Sequence, residues 1–392
     1  MHKKTGSYLR IFLSLVFIIF ALGSCNLAIA YDNSVELQEA AANGDNNQIN
    51  LLLSQGLDIN KKFADGSTAL LVSVASNKLD TAALLLSKGA DPNIKFGSLS
   101  FALLSYPVMQ QNINMTKLLL SKGADPNIRD NEGYTILWHA AADGNSKLGE
   151  LLLLNGADVN AKQGEDGNGD TALLSAIRNN RYEFVKILLL NGADPNIKNN
   201  SGSTAIGSAV HSGYQDIVKL LLSKGADSNT SYLNSTPLHT AIYKKKPNIV
   251  KLLLESGADV NIKNTSGNSP LIIAIIHNEY NILNMLLSTG ANVNSTYQEG
   301  LTSVMLATAS KQRKILELLL SQGGDPNIQD DEGNVALMWA ARNRNRDIIN
   351  LLLSKGADPT IKNHSGNTPI NVALDKGHYD IVKILKKAGA KK

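Results

Sequence analysis

The chain of 392 residues holds a single cysteine, Cys25, so no disulfide can close within it and its folded part must be held by packing alone. Aromatic residues are scarce, at 5%, while Leu, Ala, Gly and Asn dominate. This excludes one large aromatic-filled core and fits many small, similar helical layers. Strong charge of either sign is also missing. The formal charge of +4 falls to +1 without Lys3, Lys4 and Arg10 of the first thirty residues, a segment with no Asp or Glu. A near-neutral balance gives no general reason to expect nucleic acid or an anionic membrane surface as partner. The apolar run from Ile11 to Leu22, IFLSLVFIIFAL, falls short of the roughly twenty residues that a bilayer span needs.

That run follows a basic start from Met1 to Arg10 and reads as the core of an export signal. Two processing routes are open. Ala28-Ile29-Ala30 fits a small-x-small cleavage site, which makes residues 1–30 the signal peptide. Leu22-Gly23-Ser24-Cys25 resembles the lipobox of bacterial lipoproteins, which makes residues 1–24 the signal and Cys25 the acylated first residue. By either route the remaining chain is expected in the periplasm or at the cell envelope, with a lipid at Cys25 as its one tie to a membrane.

What is present in quantity is a repeat. The string Gly-Ala-Asp-Pro-Asn, or a close variant, places its Asp or Asn at Asp58, Asp91, Asp125, Asp158, Asp194, Asp227, Asp259, Asn292, Asp325 and Asp358. The steps lie between 32 and 36 and are mostly 33, and Gly389 closes an eleventh unit. Each unit opens as in Ser235-Thr236-Pro237-Leu238-His239, where Thr can cap free N–H groups and Pro suits the first helical position. Small residues such as Ala140-Ala141-Ala142 follow, letting helices approach closely. A turn leads to a second apolar helix, as in Asp216-Ile217-Val218-Lys219-Leu220-Leu221-Leu222, and a glycine such as Gly225 ends it in the left-handed conformation. The Asp residues that follow Gly-Ala read as turn formers.

Thr-Pro-Leu-His, the Ala pair, Ile-Val-Lys-Leu-Leu-Leu and Gly-Ala-Asp at a period of 33 resemble the ankyrin repeat. The resemblance covers residues 34 to 392 and implies an all-α repeat solenoid over 31–392: about eleven stacked helix–turn–helix layers with hairpin or turn fingers to one side. It also implies a monomeric protein–protein interaction scaffold whose fingers and concave face bind a protein partner, without catalysis. Polar capping units are expected at both ends. Gln38 and Gln48 mark the first, and Lys386 stands in the last where inner units have Leu. Seven Asn-x-Ser/Thr sites, at Asn114, Asn199, Asn229, Asn234, Asn264, Asn294 and Asn363, would crowd the turns if glycosylated, which favours a bacterial source.

Three departures stand out. Unit three replaces the usual start with Phe101-Ala102-Leu103-Leu104-Ser105-Tyr106-Pro107, and Pro107 is expected to disturb its first helix. Unit five carries three extra finger residues. There Asp166, Asn168 and Asp170 match the opening of a calcium loop, but Thr171 and Ile177 stand where that loop needs Gly and Glu, so a longer finger is the better reading. Lys244-Lys245-Lys246-Pro247 fills the turn between helices in unit seven, and Arg342, Arg344 and Arg346 fill that of unit ten. These read as solvated turns, with docking of an acidic partner as the alternative.

The histidines His139, His211, His239, His277, His364 and His378 are spread over layers about 8–10 Å apart, so most pairs cannot meet at one zinc ion. With no nucleophile elbow, phosphate loop or catalytic carboxylate pair, neither enzyme activity nor cofactor nor metal is expected. His239 is expected to hydrogen-bond within the fold, and Trp138 and Trp339 to pack. Carried over from the family, the partner-contact positions are Asn131, Glu132, Tyr134 and Asp143 in unit four and Asp170, Arg178 and Asn179 in unit five. Unit seven adds Tyr232, Tyr243 and Lys244, and unit ten Asp331, Glu332, Arg342 and Asn343. The alternatives to a scaffold are an envelope structural or protective lipoprotein and an effector delivered to a host cell.

Overall fold

The computed structural model describes residues 33–164, 167–231 and 235–389. The signal segment, Cys25, Asp166 and Tyr232 lie outside the described residues. Two compact bodies are present: the chain up to Phe96 with Ser121–Gly123, and Gly97–Leu120 with Ala124 onward.

The first body contains α1 (Asn33–Asn43), α2 (Asn46–Ser54), α3 (Ala69–Ala75) and α4 (Leu79–Ser87), then the two-residue strand β1 (Lys95–Phe96). The second opens with β2 (Phe101–Ala102), α5 (Ser105–Met109) and α6 (Ile113–Ser121), and continues with α7 (Ile136–Asp143), α8 (Ser146–Leu154), α9 (Ala172–Arg178) and α10 (Tyr182–Leu190). Then come α11 (Ala205–Ser212), α12 (Gln215–Ser223), α13 (Pro237–Tyr243), α14 (Pro247–Glu255), α15 (Pro270–Ile276) and α16 (Tyr280–Ser288). Last are α17 (Ser303–Ala309), α18 (Arg313–Ser321), α19 (Ala336–Arg342), α20 (Arg346–Ser354), α21 (Pro369–Asp375) and α22 (Tyr379–Lys387). These form eleven pairs, one for each unit that the period predicts, and the fold is an all-α repeat solenoid.

In the first body α1 packs on α2 and α3, and α3 on α4. In the second, first helices pack in sequence from α5 to α21, and second helices do so from α8 to α18. Thr135, Thr171, Thr204, Thr236 and Thr302 each accept a hydrogen bond through the hydroxyl from the N–H three residues on, satisfying one of the free donors at a helix start. Val335 stands at that position before α19 and supplies no cap. The core is aliphatic: Ile217, Val218 and Leu221 of α12 are buried, as are Ala209 and Val210 of α11. At the ends, Gln38 donates to Asp65 at 3.0 Å and Lys386 is exposed.

Gly225 follows α12 with φ +82, the left-handed conformation its position calls for. Two residues on, Asp227 accepts from Asn229 N–H at 2.8 Å, so the repeated Asp is a turn former. Pro107 does not break α5. It lies in the first turn, where the N–H groups have no intrahelical acceptor, and the disturbance takes the form of a helix cut to five residues, with no side-chain cap at Leu104.

Candidate partner-binding surface

Several fingers are shaped by one acceptor, at Asp130, Asn199, Asn264, Asp330 and Asn363. Asp130 Oδ1 takes N–H donors from Glu132 and Tyr134 at 3.0 and 2.9 Å, and Asp330 takes those of Glu332 and Asn334 at 3.0 and 2.8 Å. The second carboxylate oxygen then locks the finger to its first helix. Asp130 Oδ2 meets His139 Nε2 at 2.9 Å, and Asp330 Oδ2 accepts from Trp339 Nε1 at 3.3 Å. Neighbouring fingertips join through their backbones: Asn131 N–H to Leu99 O, Gly164 N–H to Gly133 O, Asn200 N–H to Asn168 O, and His364 N–H to Glu332 O.

Most of the expected contact residues are held in place by the protein itself. Asn131 is exposed, and its amide also donates to Ser98 O at 3.2 Å. Half-buried Tyr134 stacks on Trp138, centroids 4.0 Å apart. Exposed Asn179 donates to Ser175 O, and half-buried Asn343 to Ala309 O. Tyr243, 43% exposed, sets its ring edge-to-face with His277 at 5.3 Å. The Arg342 guanidinium lies 5.3 Å from the Trp339 ring centroid. Glu132, Asp143, Lys244, Asp331 and Glu332 are exposed. Burial around the Asp143 carboxyl raises its pKa above the ordinary value, against the lowering charges of His139 and Arg181.

Asp170 departs from the expectation. It is 4% exposed, paired with Arg178 and accepting from Asn199 at 2.8 Å and Asn168 at 3.2 Å. With those partners it organises the longer finger from below, and of the pair it forms with Arg178 only the arginine is exposed. Among the described residues, no cluster of three or more His, Cys, Asp or Glu could hold a metal ion. No described helix is long and apolar enough to cross a membrane.

His239 is fully buried. Its Nδ1 meets Thr236 N–H at 3.2 Å and its Nε2 faces Asn268 O at 3.3 Å, the intramolecular bonding expected of it. Burial lowers its pKa, and the hydrogen bonds to Asn268 O and Ile262 O only partly oppose this. Trp138 occupies the same place in unit four, where its buried Nε1 has no partner.

Two features escaped the sequence reading. The first is a ladder of asparagines behind the fingers. Asn160 Oδ1 accepts from Asp194 N–H at 2.8 Å and its amide donates to Gly192 O at 3.2 Å. Asn60, Asn127, Asn196, Asn229, Asn261 and Asn327 make the same double bridge to the next unit. The second lies in the helix–helix turns, each of which has one left-handed residue. Gly fills this place at residues 44, 144, 213 and 377, and Asn at 77, 180 and 278, but Gln111, Lys245, Lys311 and Arg344 fill it elsewhere, with φ between 52 and 57 for the three cations. A long side chain there costs about 1 kcal/mol or more relative to Gly. Aligning the turns by the period and noting what replaces Gly or Asn is the signal that would have found them.

Lys245 pairs with Glu279 at 2.8 Å, and Arg344 and Arg346 both reach Asp380, at 3.2 and 2.6 Å. Partial burial works against ionisation of Asp380, but the Arg346 hydrogen bond and the charges of both arginines hold its pKa down to about 2.

The family model described as "Ankyrin repeats (3 copies)" matches residues 24–96, 104–199, 137–232, 185–264, 231–297 and 304–392. No curated protein matches the chain.

Proposed function

Since the chain belongs to the ankyrin-repeat family, whose members generally serve as protein-binding scaffolds and not as enzymes, we propose that it is an exported scaffold that captures a protein partner through its fingers and the exposed ends of its first helices. One observation carries the reading. Arg178, Tyr243 and Arg342 reach solvent from the ends of three first helices, each already fixed by a neighbour: Asp170, His277 and Trp339. Side chains ordered before binding lose little entropy on binding, and Tyr and Arg are the residue types that dominate interfaces.

The export half rests on the basic start, the apolar run to Leu22 and the two processing sites. Labelling with radioactive palmitate, compared between the wild type and Cys25→Ala, decides between an anchored and a free protein. Fractionation that finds the protein in a host cell instead of the envelope would overturn the location.

The scaffold half is tested by quantitative capture from envelope extract with the wild type and with a Tyr243→Ser, Arg342→Ser variant. Both side chains are exposed, so the variant should melt within a few degrees of the wild type. The expected outcome is at least one protein depleted roughly tenfold, the loss of about 1.4 kcal/mol of binding. An identical captured set from both proteins would reject this face.

A further inference from the structure

The helix–helix turns on the side away from the fingers differ sharply in charge along the second body. The six-residue segments across the turns of units seven to ten, 243–248, 276–281, 309–314 and 342–347, carry nine Lys or Arg against Glu279 and Asp347. The matching segments of units four to six, 142–147, 178–183 and 211–216, carry three of each sign. Units seven, nine and ten carry three cations each, while the turn of unit eight holds Glu279 and no Lys or Arg, so the basic character belongs to three layers flanking one acidic turn.

Within those layers the left-handed turn position holds Lys245, Lys311 and Arg344, three of the four costly occupants in the protein. The bridges from Lys245 to half-buried Glu279 and from Arg344, together with Arg346, to half-buried Asp380 offset part of that cost. Lys311 has no ion pair at all among the described residues. At Lys311 the left-handed backbone is kept with no such compensation, which points to function. Beside Lys311 and Arg344 lies an open depression of about 460 Å³, lined by these two, Arg346, the carboxylates of Asp347 and Asp380 and two asparagines. Tyr243 and Ile276, both 43% exposed, end the first helices of the two adjoining layers.

We propose that this turn edge of units seven to ten docks an acidic, extended protein segment with apolar residues between its carboxylates. The spacing fits. Successive layers lie about 8–10 Å apart and an extended chain rises about 3.3 Å per residue, so carboxylates spaced by about six and then about three residues meet the turns of units seven, nine and ten, with a neutral residue beside Glu279 of unit eight. Some ten residues span the four layers. The inference rests on the scaffold reading in taking the partner to be a protein; it adjoins that surface at Tyr243 and Arg342 and extends it onto the turn cations Lys245, Lys311 and Arg344.

The probe is a fluorescein-labelled peptide of about twelve residues with three Glu, the second about six residues and the third about nine residues after the first, and Leu or Ser elsewhere, followed by anisotropy with the full mature chain. Its counterpart with Gln for Glu, a single-stranded dT oligonucleotide and vesicles containing phosphatidylglycerol are the other arms. The Glu peptide should bind, weaken with salt and lose at least about tenfold in affinity in a Lys245→Gly, Lys311→Gly, Arg344→Gly variant. Because Gly suits all three positions, the same variant should unfold at a urea concentration no lower than the wild type, which separates lost binding from lost fold. Equal binding of the Glu and Gln peptides, an unaffected triple variant, or tighter binding of the oligonucleotide or vesicles would overturn the inference. Should the peptide fail while capture through Tyr243 and Arg342 persists, only this inference falls and the scaffold reading stands.

Discussion

Asn160 carries two bonds between layers with one side chain: its oxygen holds the N–H of Asp194 and its amide holds Gly192 O. Replacing it by alanine leaves both groups to water, and because the site is exposed they are not orphaned in the core. The cost should be about 1–2 kcal/mol, read as a lower urea midpoint at unchanged slope. A variant as stable as the wild type would show that the ladder follows from stacking and does not support it. At this scale the sequence was legible where a residue acts on its own neighbours. Asp227 as a turn former needs only the residue two positions on, and His239 sits in a four-residue start motif. The Asn160 bridge was hidden because its partners lie more than thirty residues away. Asp170 was misplaced because the residue just before the helix cap is buried, as Ser203, Asn268 and Asn334 are in other units, and there it meets Arg178 and Asn199.

Among the helices, α8 and α10 show how closely neighbouring layers approach. Gly149 of α8 is buried against the ring of Phe184, and a Cβ built there would lie 2.5 Å from Phe184 Cζ. Alanine normally favours a helix by 0.8–1.0 kcal/mol over glycine. Here Gly149→Ala should nonetheless destabilise by about 1–3 kcal/mol, since Phe184 is fully buried and has nowhere to move. Thermal melting checks the sign, and a more stable variant would mean the two helices separate at little cost. Helix boundaries were readable from caps and terminal glycines. The length of α5 was not, since it depended on a missing cap at Leu104 as well as on Pro107.

For the whole molecule, periodicity made the architecture plain: within each body a layer rests on its neighbours through the same aliphatic positions, so one unit predicts the next. Stability is then close to a sum of unit and interface terms. Removing one full period, residues 247–279, joins Lys246 to Tyr280 and brings the Asn229 bridge opposite Asn292 and Gly290, groups that Asn261 already holds. That deletion should fold, with a denaturant slope lower by roughly a tenth. Removing only residues 247–262 should leave an insoluble or unfolded chain. The partner surface was much less legible than the fold, because contact residues on a repeat are set by what each unit does not share with the others.

The ladder also sets how such a protein ages. Hydrolytic loss of ammonia turns an asparagine amide into a carboxylate. At Asn160 the oxygen facing Asp194 N–H would survive, but the nitrogen facing Gly192 O would become a second oxygen, setting two acceptors against each other across a rung. Each such event would convert one attractive step into a repulsive one and add a negative charge to that edge. Damage would therefore accumulate rung by rung along one side, as a slow loosening between particular layers.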